Sequence, residues 1–239
     1  MTNCAGKLGT DLPSDTKLIF MMRNPADRCY SAYKYFMALG FLPYLDTVYD
    51  KMYGHAKGFD HYVRRILESP QKNRIMKARL KYLVFSQTNY ADSIREFQKY
   101  FPQEQMKFIF FEDFIRDQKK VCQDLYHFLE IEDDEDVRYN LKSNEGNIKC
   151  KSPFTSKIGV TFMGMYYLLF EFMDLSRKIP PLYRGFEFVN NSIQDFCVVP
   201  DTDTSKMLPR TRKYLNKIFR EEKKQVSALT GRDLSEIWF

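Results

Sequence analysis

The chain has 239 residues, of which 44% are hydrophobic and 16% aromatic, which is enough apolar material for one substantial core. Its net charge of +6 suits an anionic small ligand but falls short of the concentrated positive surface of a nucleic-acid-binding protein. The 5 cysteines are odd in number and scattered, and the 3 histidines form no metal-binding motif, so we expect neither a disulfide framework nor a metal site.

The sequence predicts no signal peptide and no membrane span. Its N-terminal region lacks an apolar core of signal-peptide length, and the longest uncharged apolar stretch, at 158–170, is too short to cross a bilayer. Together with cysteine usage typical of a reducing compartment, these features predict a soluble, cytoplasmic protein.

A buried strand followed by a helix is predicted near the N-terminus. The continuous apolar run at 17–22 is typical of a strand buried on both faces of a parallel sheet. Asn24 is a good N-cap and Pro25 suits the first helical position, so the next helix is predicted to begin there and to run to Leu39.

The middle of the chain predicts one loop, several helices and a second strand. Residues 41–58 are rich in Tyr and Gly and predict an irregular loop. A second buried strand is predicted to begin at Met106 and to end at Glu112. Amphipathic helices are predicted at 59–69, 73–83, 88–102 and 117–131.

The last part of the chain predicts a polar loop at 141–157, an aromatic helix at about 158–175 and a final helix that ends at Gly231. We expect that final helix to run from about Pro209 to Leu229. Because parallel strands need helical crossovers, the alternation of strands and helices predicts an α/β fold of three α/β/α layers with a mostly parallel sheet.

Arg23 and Ser31 are the candidate ligand-binding residues. Arg23 follows the first predicted strand, and ligands of open α/β sheets bind beyond the carboxyl ends of the strands. Ser31 lies in the second turn of the next helix, so its hydroxyl and the guanidinium can converge on one anion. A phosphate group matches the donors of this pair. The alternative is a solvated arginine and a surface serine.

These residues carry a resemblance to a known family. The predicted strand followed by "RNPADRCYS", with Arg23 and Ser31 in this register, resembles the segment that binds the 3′-phosphate in sulfotransferases that use 3′-phosphoadenosine 5′-phosphosulfate (PAPS). Residues 88–131 resemble the family's helix, strand, Glu-Asp turn and helix, and "LPRTRKYLNKIFREEKKQVSALTGRDLSEIW" resembles its closing helix and terminal Trp motif. The resemblance covers most of residues 14–238.

The resemblance implies a P-loop NTPase-like sulfotransferase fold and transfer of a sulfuryl group from PAPS to a hydroxyl or amine, with a carbohydrate as the first expectation for the acceptor. Arg23 and Ser31 would hold the donor and perform no chemistry. Lys157 is a further candidate, because the family often closes over the nucleotide with a basic loop in this region. The resemblance names no catalytic base and calls for no metal.

On this basis we expect a single sulfotransferase domain over residues 1–239. Its parts would be a lead-in at 1–13, a nucleotide-binding α/β part at 14–140, and a C-terminal loop with helices at 141–239. Nucleic acid is not expected as a partner, and no oligomeric state is predicted.

One part of the family's pattern has no room in this chain. The family's first strand, its Lys-x-Gly-Thr-Thr loop around the 5′-phosphosulfate and the following helix would precede residue 17. We therefore expect an N-terminally incomplete sulfotransferase, weakly active or inactive, with an exposed sheet edge. The sequence "GKLGT" at 6–10 echoes the loop, but no apolar strand precedes it and Pro13 follows where a helix should begin.

Two other functions stay open. A non-catalytic nucleotide-binding remnant would retain the same Arg23 and Ser31, and sequence does not separate it from an incomplete enzyme. A nucleotide kinase would need the GxxxxGK[ST] loop, which is absent. Glu112 and Asp113 follow a strand end and either face the ligand crevice or begin the next helical turn.

Overall fold

The structure is a computed structural model that describes residues 4–38, 44–68, 81, 84–85, 88–132, 139, 148–150, 161, 189, 192, 198–200 and 203–238. The chain divides into two compact units. The first unit comprises Met1–Arg28, Ser86–Ser143 and Arg212–Phe239, and the second comprises Cys29–Phe85 and Asn144–Thr211. The expectation of a single domain stays a prediction.

In chain order the elements are α1 (Cys4–Asp11), β1 (Leu18–Met22), α2 (Pro25–Ala38), α3 (Tyr44–Tyr53), α4 (His55–Leu67), α5 (Tyr90–Gln98), β2 (Met106–Phe110), α6 (Phe111–Arg116), α7 (Gln118–Leu129), β3 (Ile148–Cys150), β4 (Val198–Pro200), α8 (Pro209–Ile218), α9 (Arg220–Thr230) and α10 (Ser235–Trp238). A single 3₁₀ turn, Gln103–Gln105, precedes β2. Within the described ranges, no helix has both the length and the apolar character needed to cross a membrane.

The first unit contains a parallel pair of strands. β1 pairs with β2 in a register that sets Leu18 opposite Met106 and Met22 opposite Phe110. Parallel neighbours cannot be joined by a hairpin, and helices α2 to α5 lie between these two strands in the sequence. This is the α/β arrangement that the sequence predicted.

One face of β1 is packed and the other is exposed. Phe20 packs against Phe97 of α5 and Phe108 of β2, with ring centroids 5.2 and 5.5 Å apart. Ile19 and Met21 point to the opposite face and are 45% and 53% exposed. Successive side chains of a strand alternate between faces, and α5 covers only the Phe20 side. The prediction that this strand is buried on both faces is therefore wrong.

The core of the first unit joins both strands to the end of the chain. Its buried members come from β1, α5, the segment between α5 and β2, β2, α9 and the C-terminal segment: Met22, Ala91, Ile94, Phe101, Met106, Phe110, Val226, Leu234 and Trp238. The ring of Trp238 packs edge-on against Phe110, with centroids 5.5 Å apart. The C-terminal segment is thus part of the core beneath the strand ends.

The second unit is built on aromatic helix packing. Tyr33 of α2 contacts Phe59 and Tyr62 of α4, with ring centroids 5.2 and 5.3 Å apart. The predicted loop at 41–58 is wrong, because this segment contains α3 and the start of α4. The two helices are separated by Gly54, whose φ of 80° is a conformation that favours glycine. Packing of the tyrosines outweighs their modest helix propensity.

Two further predictions need correction. Part of the predicted loop at 141–157 forms β3, which pairs antiparallel with β4 about fifty residues later, a partner that no local pattern reveals. The predicted final helix is broken at Phe219 into α8 and α9, and Phe219 is buried. Its predicted end at Gly231 is confirmed, with φ at 67°. The helices predicted at 73–83 and 158–175 lie almost entirely outside the described residues.

Candidate active site at the strand ends

Asn24 closes the start of α2, as the sequence predicted. Its side-chain oxygen accepts a hydrogen bond from the backbone N–H of Ala26 at 3.0 Å. Its own backbone N–H donates to Glu112 Oε1 at 2.8 Å. Pro25, at the first helical position, has no N–H to offer. The N–H groups of Asn24 and Ala26 are therefore already bound, so an anion here would rely on a side chain in place of these two donors.

Arg23 supplies such a side chain. It is half-buried, and its guanidinium lies over the ring of Phe111 at 4.7 Å from the centroid. The hydroxyl of Tyr90 donates to its backbone carbonyl at 3.1 Å. In the part of the chain that the structure describes, no carboxylate forms an ion pair with Arg23. The strand end thus holds an oriented cation that pairs with no acid among the described residues.

Two carboxylates close to Arg23 in the sequence or beside its stacking partner Phe111, Asp27 and Glu112, are bound to other donors. Glu112 accepts the Asn24 N–H on one oxygen and the indole N–H of Trp238 on the other, at 3.0 Å. Asp27, in the first turn of α2, accepts a hydrogen bond from Arg212 Nη1 at 3.0 Å. These contacts hold both acids in place without using the guanidinium of Arg23.

Glu112 and Asp113 follow the strand end as expected and also begin a helix, α6. They serve different partners. Glu112 accepts hydrogen bonds from the backbone of Asn24, just after β1, and from the indole of Trp238 in α10. Asp113 forms ion pairs with Arg116 and, at 3.2 Å, with Arg232. The prediction that this pair begins the next helical turn is confirmed for both residues, and the prediction that they face a ligand crevice stays a prediction.

Ser31 lies in α2 and is half-buried. It belongs to the second unit, whereas Arg23 belongs to the first. Their convergence on one anion therefore stays a prediction, which rests on their spacing in the sequence. Lys157, the third predicted binding residue, lies outside the described residues.

The "GKLGT" sequence is helical. It lies within α1, and the hydroxyl of Thr10 donates to the carbonyl of Lys7 at 2.9 Å, a contact within the helix. A Cβ on Gly9 would lie 2.7 Å from the Cβ of Tyr100, so the close approach of α1 to this tyrosine accounts for the glycine. The prediction that this segment is not the phosphate loop is confirmed.

Sequence reasoning missed the role of Lys223. Its side chain is fully buried, and its ammonium donates to the carbonyl of Trp238 and to Asn216 Oδ1, the latter at 3.0 Å. A lysine between Phe219 and Val226 interrupts the apolar stripe of the last helices, which is the signal that the sequence contained.

The environment of Lys223 disfavours its charge. Burial, followed by the positive charge of Arg212, lowers the pKa of Lys223 to about 8, against the opposing effect of Asp27 and Glu112. The hydrogen bond to the Trp238 carbonyl therefore comes from a lysine whose charged form is disfavoured by burial.

A groove of about 800 Å³ runs along β2 in the first unit. Both basic and acidic side chains line it. Lys107 and Lys120 are among the basic ones, Asp117 and Asp124 are among the acidic ones, and Arg232 is paired with Asp113. This mixed charge does not select for an anion. The strand end at Arg23 is therefore the stronger candidate for a phosphate site.

The second unit has a buried polar cluster of a different kind. Asp50 accepts a hydrogen bond from the hydroxyl of Tyr33 at 2.9 Å, and His55 Nδ1 lies 2.8 Å from its other oxygen. Burial, and then the charge of Asp50, raises the pKa of Tyr33 far above its ordinary value. The phenol of Tyr33 is therefore a neutral donor to Asp50, and these contacts join α2, α3 and α4.

Comparison with known proteins points to one family. The sulfotransferase domain family matches residues 11–148, which is more than half of the chain. The crystal structure of a sulfotransferase from Alicyclobacillus acidocaldarius matches with a TM-score of 0.50 and 21% identity over 97% of this chain. This likeness speaks for the same α/β fold. The match covers 61% of the bacterial protein, so this chain spans less than two thirds of its length. No curated protein sequence matches the chain.

Proposed function

The chain belongs to the sulfotransferase family, and from this premise we propose that it binds PAPS and transfers the sulfuryl group to a hydroxyl or amine, with a carbohydrate as the preferred acceptor. The observation that carries the proposal is the guanidinium of Arg23, which is stacked on Phe111 beside the capped start of α2 and has no carboxylate partner among the described residues.

The residues at this strand end fit the 3′-phosphate of the nucleotide. A guanidinium offers several N–H donors in one plane and stays protonated at every working pH, so Arg23 suits binding and orientation of a phosphate. It cannot exchange a proton with the acceptor. The hydroxyl of Ser31 adds a donor to the same phosphate. When bound, PAPS supplies the sulfuryl group and leaves as adenosine 3′,5′-bisphosphate.

A non-catalytic nucleotide-binding protein is the second candidate function. It is favoured by the helical state of "GKLGT" in α1, where Gly9 serves packing against Tyr100 and not the approach of a phosphate. In this reading the chain binds the 3′-phosphate end of the nucleotide and turns over weakly or not at all. The two candidates share the role of Arg23 and Ser31 and differ in whether sulfuryl transfer is detected.

Calorimetric titration with adenosine 3′,5′-bisphosphate tests the shared part. We expect Arg23→Ala and Ser31→Ala each to weaken binding by at least about ten-fold, or about 1.4 kcal/mol. Arg116→Ala is the matched control, because Arg116 is exposed and paired with Asp113. Adenosine 5′-monophosphate, which lacks the 3′-phosphate, should bind weakly to all variants. Equal affinities of the Arg23 and Arg116 variants would contradict the assignment.

Sulfuryl transfer separates the two candidates. PAPS with a radiolabelled sulfuryl group is incubated with the chain and with carbohydrate acceptors that carry free hydroxyls or amines. Label on the acceptor that disappears in Arg23→Ala supports the transferase. Tight bisphosphate binding without transferred label supports the non-catalytic protein.

A further inference from the structure

Trp238 lies near the C-terminal end of the chain, far in the sequence from Arg23. It contacts the acid beside the candidate phosphate site. Its indole N–H donates to Glu112 Oε2 at 3.0 Å. The other oxygen of Glu112 accepts the backbone N–H of Asn24, the residue after Arg23, at 2.8 Å. Both donors are neutral, so Glu112 is hydrogen-bonded on each oxygen while its charge stays uncompensated by these contacts.

Trp238 is held firmly enough to set the position of this carboxylate. Its side chain is 1% exposed and packs against Phe110, the last residue of β2. Its carbonyl accepts hydrogen bonds from the side-chain amide of Asn24 at 3.1 Å and from the ammonium of Lys223. Both ends of the residue are therefore bound, and the direction of the indole N–H follows from this packing.

The carboxylate of Glu112 is the group that would compete with a phosphate for the guanidinium of Arg23. Arg23 stacks on Phe111, the neighbour of Glu112, and the backbone of Asn24 is already bonded to that carboxylate. Arg23 precedes Asn24, whose backbone N–H already donates to Glu112, so a glutamate released from the indole would have this guanidinium as a neighbour in the chain. The charge of Lys223 also acts on this carboxylate. A carboxylate and a guanidinium form a strong two-point pair, and a phosphate would then have to displace it.

We infer that Trp238 is a positioning residue: by donating to Glu112 it keeps this carboxylate from pairing with Arg23 and so leaves the guanidinium available to a phosphate. Phe110 and Lys223 act through Trp238, because they fix the ring and the carbonyl. The inference rests on the proposed function for its ligand, but the Glu112 and Arg23 contact that it forbids is a property of the chain alone.

The ligand-independent test is a double-mutant cycle of unfolding. The free energy of unfolding is measured for Arg23→Ala, Glu112→Gln and the double variant, first with Trp238 and then in Trp238→Phe. With Trp238 present, the two sites should couple by less than about three-fold in the unfolding equilibrium constant. In Trp238→Phe, the coupling should exceed about ten-fold, because the ion pair forms. Equal coupling in both backgrounds overturns the inference.

The ligand test uses adenosine 3′,5′-bisphosphate and the same variants. Trp238→Phe should weaken binding by at least about ten-fold, and adding Glu112→Gln should restore it to within about three-fold of the original chain. A merely structural role for Trp238 predicts no rescue, since the second substitution removes another contact of the strand end. Glu236→Gln, which neutralises an exposed acid of α10, is the matched control and should not rescue.

The chain offers a milder variant than phenylalanine in case that substitution prevents folding. Trp238 is its single tryptophan, so incorporation of benzothienylalanine replaces this residue alone and exchanges the indole N–H for sulfur in a ring of the same shape. The same loss and rescue are expected. If bisphosphate binds no variant while the unfolding cycle shows the predicted coupling, the proposed function fails and the positioning role stands. Binding that depends on Arg23 but shows no rescue overturns the positioning role and leaves the function intact.

Discussion

The two units differ in the partners that surround a hydrogen-bonded carboxylate. In the second unit, Asp50 is enclosed with Tyr33 and His55, and each polar group is used to hold helices together. In the first unit, Glu112 is bound by two neutral donors, and the cation beside it, Arg23, is left without an acid partner among the described residues. A closed cluster is typical of stability, whereas an unpaired, oriented charge at a strand end is typical of a ligand site.

The difference is expected to appear as a difference in what substitutions do. Removing one member of the enclosed cluster takes a buried hydrogen-bond partner from the others, so unfolding should become easier. Removing Arg23 leaves no buried group stranded, so the main loss should be in binding. The predictions below run from the largest expected effect on stability to the smallest.

Asp50→Ala should lower the free energy of unfolding by about 3–5 kcal/mol, because the hydroxyl of Tyr33 and the ring of His55 lose a buried acceptor. Urea denaturation measures this directly. Glu68→Ala is the control in the same unit: its acid is exposed and, among the described residues, pairs with Arg64 at 3.5 Å, so a loss below about 1 kcal/mol is expected. Similar losses in both variants would show that the Asp50 cluster is not a stabilising centre.

Lys223 should make stability depend on pH in the alkaline range. Its pKa is about 8 in the folded chain and 10.5 as its ordinary value, so the unfolded chain binds more protons between these limits. The original chain should therefore gain stability relative to Lys223→Met as pH rises from 8 to 10.5, by up to about 3 kcal/mol. Lys224→Met, at the exposed next position, should give no such trend. A difference in the free energy of unfolding between the original chain and Lys223→Met that does not change with pH would contradict the prediction.

Asp203 should make the second unit sensitive to acid. Burial acts to raise the pKa of Asp203, but hydrogen bonds from Ser205 and the backbone N–H of His55 outweigh it and lower the pKa to about 2. Its stabilising effect is present above pH 3.8 and is lost as pH falls to about 2, which amounts to at most about 2 kcal/mol. The free energies of unfolding of the original chain and of Asp203→Asn should therefore become equal as the pH falls to about 2. A constant difference between the two free energies of unfolding over this pH range would contradict the prediction.

Gly58→Ala should cost about 1–2 kcal/mol even though alanine favours helices. The added methyl would lie 2.5 Å from Asp50 Oδ1 and 2.6 Å from the hydroxyl of Tyr33, and would disturb their hydrogen bond. Gly231→Ala in the first unit should cost about 1 kcal/mol from its positive φ alone. In an Asp50→Ala background only the Gly58 cost should shrink. Unchanged costs at both positions would show that Gly58 does not report on the cluster.

The sequence was most successful where the information is local. The cap at Asn24, the start of α2 at Pro25 and the helix end at Gly231 each depend on a few neighbouring residues, and all are confirmed. Predictions were wrong where a distant partner decides. β3 forms because β4 pairs with it, and the helix α3 forms in a Tyr-rich segment that pairwise packing stabilises.

The residues of the candidate site also differ in whether local sequence or a distant contact identifies them. Arg23 was identifiable from its place after a buried strand and from the family motif, since a strand end and a following helix are both readable in sequence. Trp238 was recognisable only as part of a terminal motif, and its contact with Glu112 spans more than a hundred residues of chain. No spacing rule connects residues so far apart.

The sequence by itself therefore determined the family, the α/β class and the arginine that we assign to phosphate, because these follow from local patterns of polarity and from a contiguous motif. The tertiary structure alone decided which face of β1 is exposed, that "GKLGT" is helical, and which donors bind Glu112. Those outcomes depend on which surfaces pack together and which hydrogen-bond partners meet. Packing is a property of the folded chain as a whole and not of any segment of it.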